Sequence, residues 1–257
     1  MKIPDVVCEY INQRLREIEQ EYEIKVLFWV LRSSFNMGIY RQNSDADVYF
    51  VFVECGEKLN VIHDIGSHRF DMWGCSIRGV KENIDKNMRV YNSLEQKKLF
   101  IPQYINASYK KAGCNYVYGL FLLVGNECLY DPENNLHKYF RDELESFNRK
   151  LYIATLFYQV ESDISKMEQQ SKNSINDYLR IVWKLLYIKY VFHNGILGKY
   201  GLIYLLERVA FSEYDKVIFY LKTYRSIAET KDVMRTKDRE LEETIRNFFL
   251  EIQEIIV

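Results

Sequence analysis

Apolar residues at Val7, Ile11, Leu15, Ile18 and Tyr22 recur at spacings of four and three. That spacing lays one apolar stripe along a helix, and Asp5 stands where an N-cap would. "KVLFWVL" (25–31), apolar after Lys25, predicts a buried strand. "ADVYFVFVE" (46–54) predicts a second, apolar on both faces and so central in its sheet. Between them "SSFNMG" is polar and small, suited to a turn or the opening of a short helix. "EKLNVIHDIGS" holds a turn or a short strand, "HRFDMWGCSI" (68–77) a third strand, and "SIRGVKENIDKNMRVYNSLEQKKLF" a helix. "NYVYGLFLLVG" (115–125) fits a strand or a buried helical segment equally well.

After Pro132 the texture becomes helical, with helices expected over 135–170, 173–193, 199–209, 212–226 and 232–256. Ser212 and Asp215 have the form of a capping box ahead of "KVIFYLKTY". Leu241, Ile245, Phe248, Ile252 and Ile255 form the stripe of the last helix. The plan is α+β: an N-terminal mixed-sheet domain over 1–134 and an all-α C-terminal domain over 135–257.

Composition narrows this only a little. With 257 residues, 48% of them hydrophobic, the chain can bury a sizeable core. Lys plus Arg (35) nearly balances Asp plus Glu (36), so no global basic field announces nucleic acid. The five cysteines include no C-x-x-C pair, which fits reduced thiols in a cytoplasmic protein. No stretch is long and apolar enough to span a membrane, so no membrane partner is expected.

The chemistry concentrates in "NSDAD". On a strand, residues i and i+2 share a face, so Asp45 and Asp47 would project together. Two carboxylates ~4 Å apart repel by ~4 kcal/mol at an effective dielectric of ~20, and a divalent cation is one way to offset that. Oxygen-only donors suit Mg²⁺ or Mn²⁺, and Asp71 in "RFDMWG" is the natural third carboxylate. An Asp-x-Asp ahead of a strand also occurs as a solvated turn. Ser33 and Ser34 follow the first strand, where a hydroxyl and backbone N–H groups can meet phosphate. Lys172, Arg180 and Lys184 are the basic residues of the helical half, and Lys110 and Lys111 lie in a tyrosine-flanked segment. His63 and His68, five apart beside Asp64, read as ordinary loop histidines; Trp73 and Trp183 read as core.

The order strand, small residue and Ser, ten residues, Asp-x-Asp, then a later strand-borne Asp resembles the polymerase-β-type nucleotidyltransferase superfamily. Within it the chain is most similar to the RNA-ligase-associated (RlaP-type) predicted nucleotidyltransferases, whose segment reads G-S-x-x-Y-G-x-x-x-x-x-S-D-x-D. Ser33 stands for the Gly, Ser34 for the Ser, Met37 for the Tyr and Gly38 for the second Gly; Ser44, Asp45 and Asp47 follow in register. The resemblance implies a palm-like first domain and Mg²⁺- or Mn²⁺-dependent transfer of an NMP from an NTP to an acceptor hydroxyl. Asp45, Asp47 and Asp71 would be the metal ligands and catalytic groups. Ser33, Ser34, Lys172 and Lys184 would hold the nucleotide. An acceptor in RNA repair is implied first, and a protein second. The alternative is a module that keeps this fold and binds a nucleotide or RNA without turnover, which the Ser33 side chain in place of Gly favours.

Overall fold

The computed structural model describes residues 5–31, 37–39, 46–55, 61–65, 70–96, 129–145, 149–195, 200–226 and 235–256. The chain divides into two compact units. The first comprises 1–36, 45–100 and 104–148; the second comprises 37–44, 101–103 and 149–257.

The first unit opens with α1 (Asp5–Tyr22), which begins at Asp5 and buries Ile11, Leu15 and Ile18, three members of the expected stripe. Four strands follow: β1 (Ile24–Leu31), β2 (Ala46–Glu54), β3 (Val61–Ile65) and β4 (Phe70–Ser76). Then come α2 (Ile77–Gln96), the two-residue β5 (Leu129–Tyr130) and α3 (Asn135–Glu145). The sheet order is β3-β4-β2-β1-β5. β2 lies antiparallel to β1 and parallel to β4, and β3 and β5 are antiparallel edges. This mixed sheet with helices makes the unit α+β, with β2 central as its two-sided apolar pattern requires. The "EKLNVIHDIGS" segment yields a strand, because His63 pairs across β4 with Trp73 and Asp64 with Met72.

Alternation assigns the two faces. One carries Phe28, Val30, Tyr49 and Val51 and packs against Val80 and Ile84 of α2 and Leu136 and Phe140 of α3. On the opposite face Trp29 donates from its indole N–H to Asn12 of α1 at 3.0 Å. There Arg14 also grips both oxygens of Asp64, at 2.9 and 2.7 Å. This two-point hydrogen bond raises the Arg14 pKa above its ordinary value, with Glu17 adding to it. Helix α3 is anchored to the sheet: Asp131 accepts from the Asn135 and Leu136 N–H groups, each at 2.7 Å, and Asn135 Nδ2 donates to Leu27 O at 3.0 Å.

Gly74 faces Phe50 in register across β2 and β4. A Cβ there would lie less than 3.0 Å from three carbons of the Phe50 ring, and that ring is fully buried. Gly74→Ala is therefore expected to destabilise the protein by about 1–3 kcal/mol, the usual cost of overpacking a filled core. A urea titration of the variant checks this; an unchanged midpoint would mean that Phe50 can tilt aside.

The second unit contains α4 (Arg149–Gln169), β6 (Asn173–Ser174), α5 (Ile175–Asn194), α6 (Leu202–Leu206), α7 (Tyr214–Ser226), β7 (Arg235–Thr236) and α8 (Arg239–Ile256). Among its described residues the only strands are those of the short β6–β7 ladder, which the sequence pattern did not foretell. The central helix is α5, most of whose length is buried. Ser174 and Asp177 form its capping box, and Gly195 ends it with φ 66° and an N–H bond to Val191 O. The final helix starts at Arg239, later than its texture suggested. Asp238 accepts from the Leu241 N–H at 3.1 Å and stops the helix from extending toward 232. Leu241, Ile245, Phe248 and Ile252 are buried as expected.

The expected helical span 135–170 holds two helices, α3 in the first unit and α4 in the second. Among the described residues Cys8, Cys55 and Cys75 are in no disulfide, and no helix is long and apolar enough to cross a membrane.

Candidate functional site

Asp47 and Asp71 are register partners on the parallel strands β2 and β4. Register partners in a parallel pair point to the same face, with Cα atoms ~4.8 Å apart. Their strand neighbours on that face, Tyr49 and Val51 on β2 and Trp73 and Cys75 on β4, pack with α2 and α3. Asp47 and Asp71 thus stand one step beyond the covered core, at the sheet end where β2 and β4 begin. Asp47 is partly buried, and the Asp71 side chain is 46% exposed. Leu31, the last residue of β1, pairs with Val48, so the chain leaves β1 at this same sheet end. Asp45, Ser33 and Ser34, expected from the sequence to act with these two, lie outside the described residues.

A residue whose sequence context suggested only a loop histidine joins the carboxylates. His63 Nε2 lies 2.7 Å from Asp71 Oδ1. Its ring stacks on Trp73, with centroids 3.7 Å apart and 18° between planes. The alternation of β3 explains why: His63 shares the face of Asp71, and Asp64 turns to the other side and to Arg14. His63 and Asp64 therefore do not act together. The period-2 pattern Val61, His63, Ile65 was the available signal once a strand was drawn there. His68 lies outside the described residues.

Two oxygen donors on one face suit a hard divalent cation. Among the described residues no group of three His, Cys, Asp or Glu side chains could hold a metal ion; Asp45, the third donor expected from the sequence, is not among them.

The remaining candidate residues lie in the second unit. Lys184 is buried on α5, its side chain 7% exposed, with Nζ 2.7 Å from Asp163 Oδ2 of α4. Burial lowers the Lys184 pKa, Asp163 opposes the shift, and Arg180 and Lys166 add to it by repulsion. Lys184 is thus engaged in an internal ion pair and not presented to solvent. Arg180, Lys166, Asp163 and Asp177 line a cavity of about 290 Å³. Lys172 is exposed just ahead of α5. Trp183 is core and donates its indole N–H to Tyr200 O at 2.7 Å. Gly38, the second glycine of the motif, has φ 68°, a conformation that calls for glycine, and its carbonyl accepts from Arg225 at 2.7 Å. Lys110 and Lys111 lie outside the described residues.

No protein-family model matches this chain, and no curated protein matches it.

Proposed function

We propose that the chain is a divalent-metal-dependent nucleotidyltransferase that moves an NMP from an NTP onto an acceptor hydroxyl. The single observation that carries this reading is the register pairing of Asp47 with Asp71 at the sheet end where β1 exits. A strand-borne third carboxylate beside the Asp-x-Asp pair is what two-metal phosphoryl chemistry needs from the protein. Bound to these carboxylates and Asp45, Mg²⁺ or Mn²⁺ would offset charge on the α-phosphate and on the departing pyrophosphate.

The chain's own residues do the rest. Asp47 presents its carboxylate on the face it shares with Asp71, and Asp45, outside the described residues, would be the third ligand. Asp71 accepts the proton of the acceptor hydroxyl as its oxygen bonds to the α-phosphorus. The bond from that phosphorus to the bridging oxygen breaks, and pyrophosphate leaves. Ser33 and Ser34 meet the phosphates through hydroxyl and backbone N–H groups. Lys172 and Lys184 belong to the second unit, Lys172 exposed and Lys184 held by Asp163, and the reading does not rest on them. The setting we propose is cytoplasmic, with RNA as the first acceptor and a protein side chain as the second.

Purified protein incubated with Mn²⁺, each α-labelled NTP and total RNA is expected to release pyrophosphate and to label RNA or itself. If RNA is the acceptor, its binding weakens steeply from low to physiological salt, as phosphate contacts require. Binding of an NTP without pyrophosphate release from any of the four would favour the non-catalytic module, the reading that Ser33 supports. No metal-dependent NTP binding at all would defeat both.

A further inference from the structure

We propose that His63 is a positioning residue for Asp71, an inference that rests on the nucleotidyl-transfer reading above. The geometry is built in three layers. Trp73 packs against the core under α2 and α3. The imidazole of His63 lies nearly flat on the indole, 3.7 Å away, which fixes its plane. In that plane Nε2 reaches Asp71 Oδ1 at 2.7 Å. A carboxylate offers only acceptors, so the proton sits on Nε2 and His63 donates.

The consequence is rotational. Asp71 is nearly half exposed and sits at the second position of β4, so its carboxylate would otherwise sample several rotamers in water. With Oδ1 held by His63, Oδ2 is left for a cation or an acceptor hydroxyl on the side of Asp47. The hydrogen bond is too exposed to matter much for folding, because solvent-accessible charged pairs contribute little. Its effect falls on the orientation of a ligating carboxylate, and loss of such an outer partner typically weakens metal binding by ~10–100-fold.

Two variants separate the ring from its hydrogen bond. His63→Phe keeps a flat ring on Trp73 and removes the donor. His63→Gln restores an amide N–H donor of similar reach. Mn²⁺ binding to the full chain is measured by electron paramagnetic resonance of the free ion, with melting temperatures in EDTA as the fold control. His63→Phe is expected to bind Mn²⁺ ~10–100-fold more weakly than wild type with an unchanged metal-free melting temperature. His63→Gln is expected to recover most of the loss. Wild-type affinity in His63→Phe overturns the proposal, and so does a His63→Gln variant as weak as His63→Phe. If wild-type binding depends on Asp47 yet ignores His63→Phe, the role of His63 alone falls. If wild type shows no Mn²⁺ binding that Asp47→Asn removes, the metal reading falls and takes this inference with it.

Discussion

Asp47→Asn is expected to abolish metal-dependent nucleotide turnover, by about 10³-fold or more, and to leave the fold intact. On the nucleotidyl-transfer reading the size follows from the role: the substitution removes a carboxylate that would hold the cations needed to offset the triphosphate, and stabilising transition-state charge commonly lowers the barrier more than any other effect in such chemistry. The fold should survive because the strand pairing of β2 with β1 and β4 is made by backbone groups and by Val48, Phe50 and Phe52, which are buried. Removing one of two carboxylates in register also relieves repulsion, so the melting temperature in EDTA should hold or rise slightly. The decisive measurement is the melting-temperature shift on adding Mn²⁺ and an NTP, wild type against variant. Equal shifts in both would remove Asp47 from the metal site.

The second large effect is one of stability. Asp163→Ala is expected to destabilise the second unit by about 3 kcal/mol at neutral pH, roughly 6–12 °C in melting temperature. It strands the Lys184 ammonium in a buried site, and losing one partner of a buried pair is far worse than losing both. The figure is set at the low end of the usual range because Asp163 itself keeps some contact with water.

The pH dependence has a definite sign. Burial lowers the folded pKa of Lys184, so between that value and the ordinary lysine value of ~10.4 the unfolded chain binds the extra proton. Stability contributed by this group therefore rises with pH through the alkaline window. Without Asp163 to oppose burial the window reaches further toward neutral. The gap between wild type and Asp163→Ala should accordingly narrow from pH 7 to pH 10. The double variant Asp163→Ala, Lys184→Met, which leaves an apolar side chain of similar length, should regain most of the loss. A double variant no better than the single one would show that the carboxylate acts through some contact other than Lys184.

A different buried network holds the last helix. Tyr178 OH lies 2.6 Å and Asn173 Nδ2 2.8 Å from Glu242 Oε1, and Lys237 lies 2.8 Å from Glu242 Oε2. Burial pushes the Tyr178 hydroxyl up to about 12, so it stays protonated and donating at any physiological pH. Beside it, burial alone would raise the Asp238 carboxyl, but bonds from Tyr220, the Leu241 N–H and Lys216 hold it below the usual range. These bonds explain the β6–β7 ladder and the late start of α8, features that helical periodicity around residue 232 had hidden.

What the sequence determined by itself was local. The stripes of α1 and α8, the limits of β1 and β2 and the helical texture after Pro132 are short-range patterns, because side-chain periodicity reports which face of an element is wet. The Asp-x-Asp pair and a strand-borne Asp71 were visible for the same reason. Only the tertiary structure decided that Asp71 stands opposite Asp47, because strand register is set by docking between segments that lie far apart in the chain. It also decided that His63 serves Asp71 while Asp64 serves Arg14, a division made by one strand's two faces. Helix α3 reads like the helices after it, yet Asp131 caps its start and Asn135 ties it to Leu27 of β1. Lys184 reads like a free cation, and Asp163, twenty-one residues away on the neighbouring helix, makes it part of the interior. In each case the deciding partner is distant in sequence, and composition and spacing carry no record of which distant group a side chain will meet.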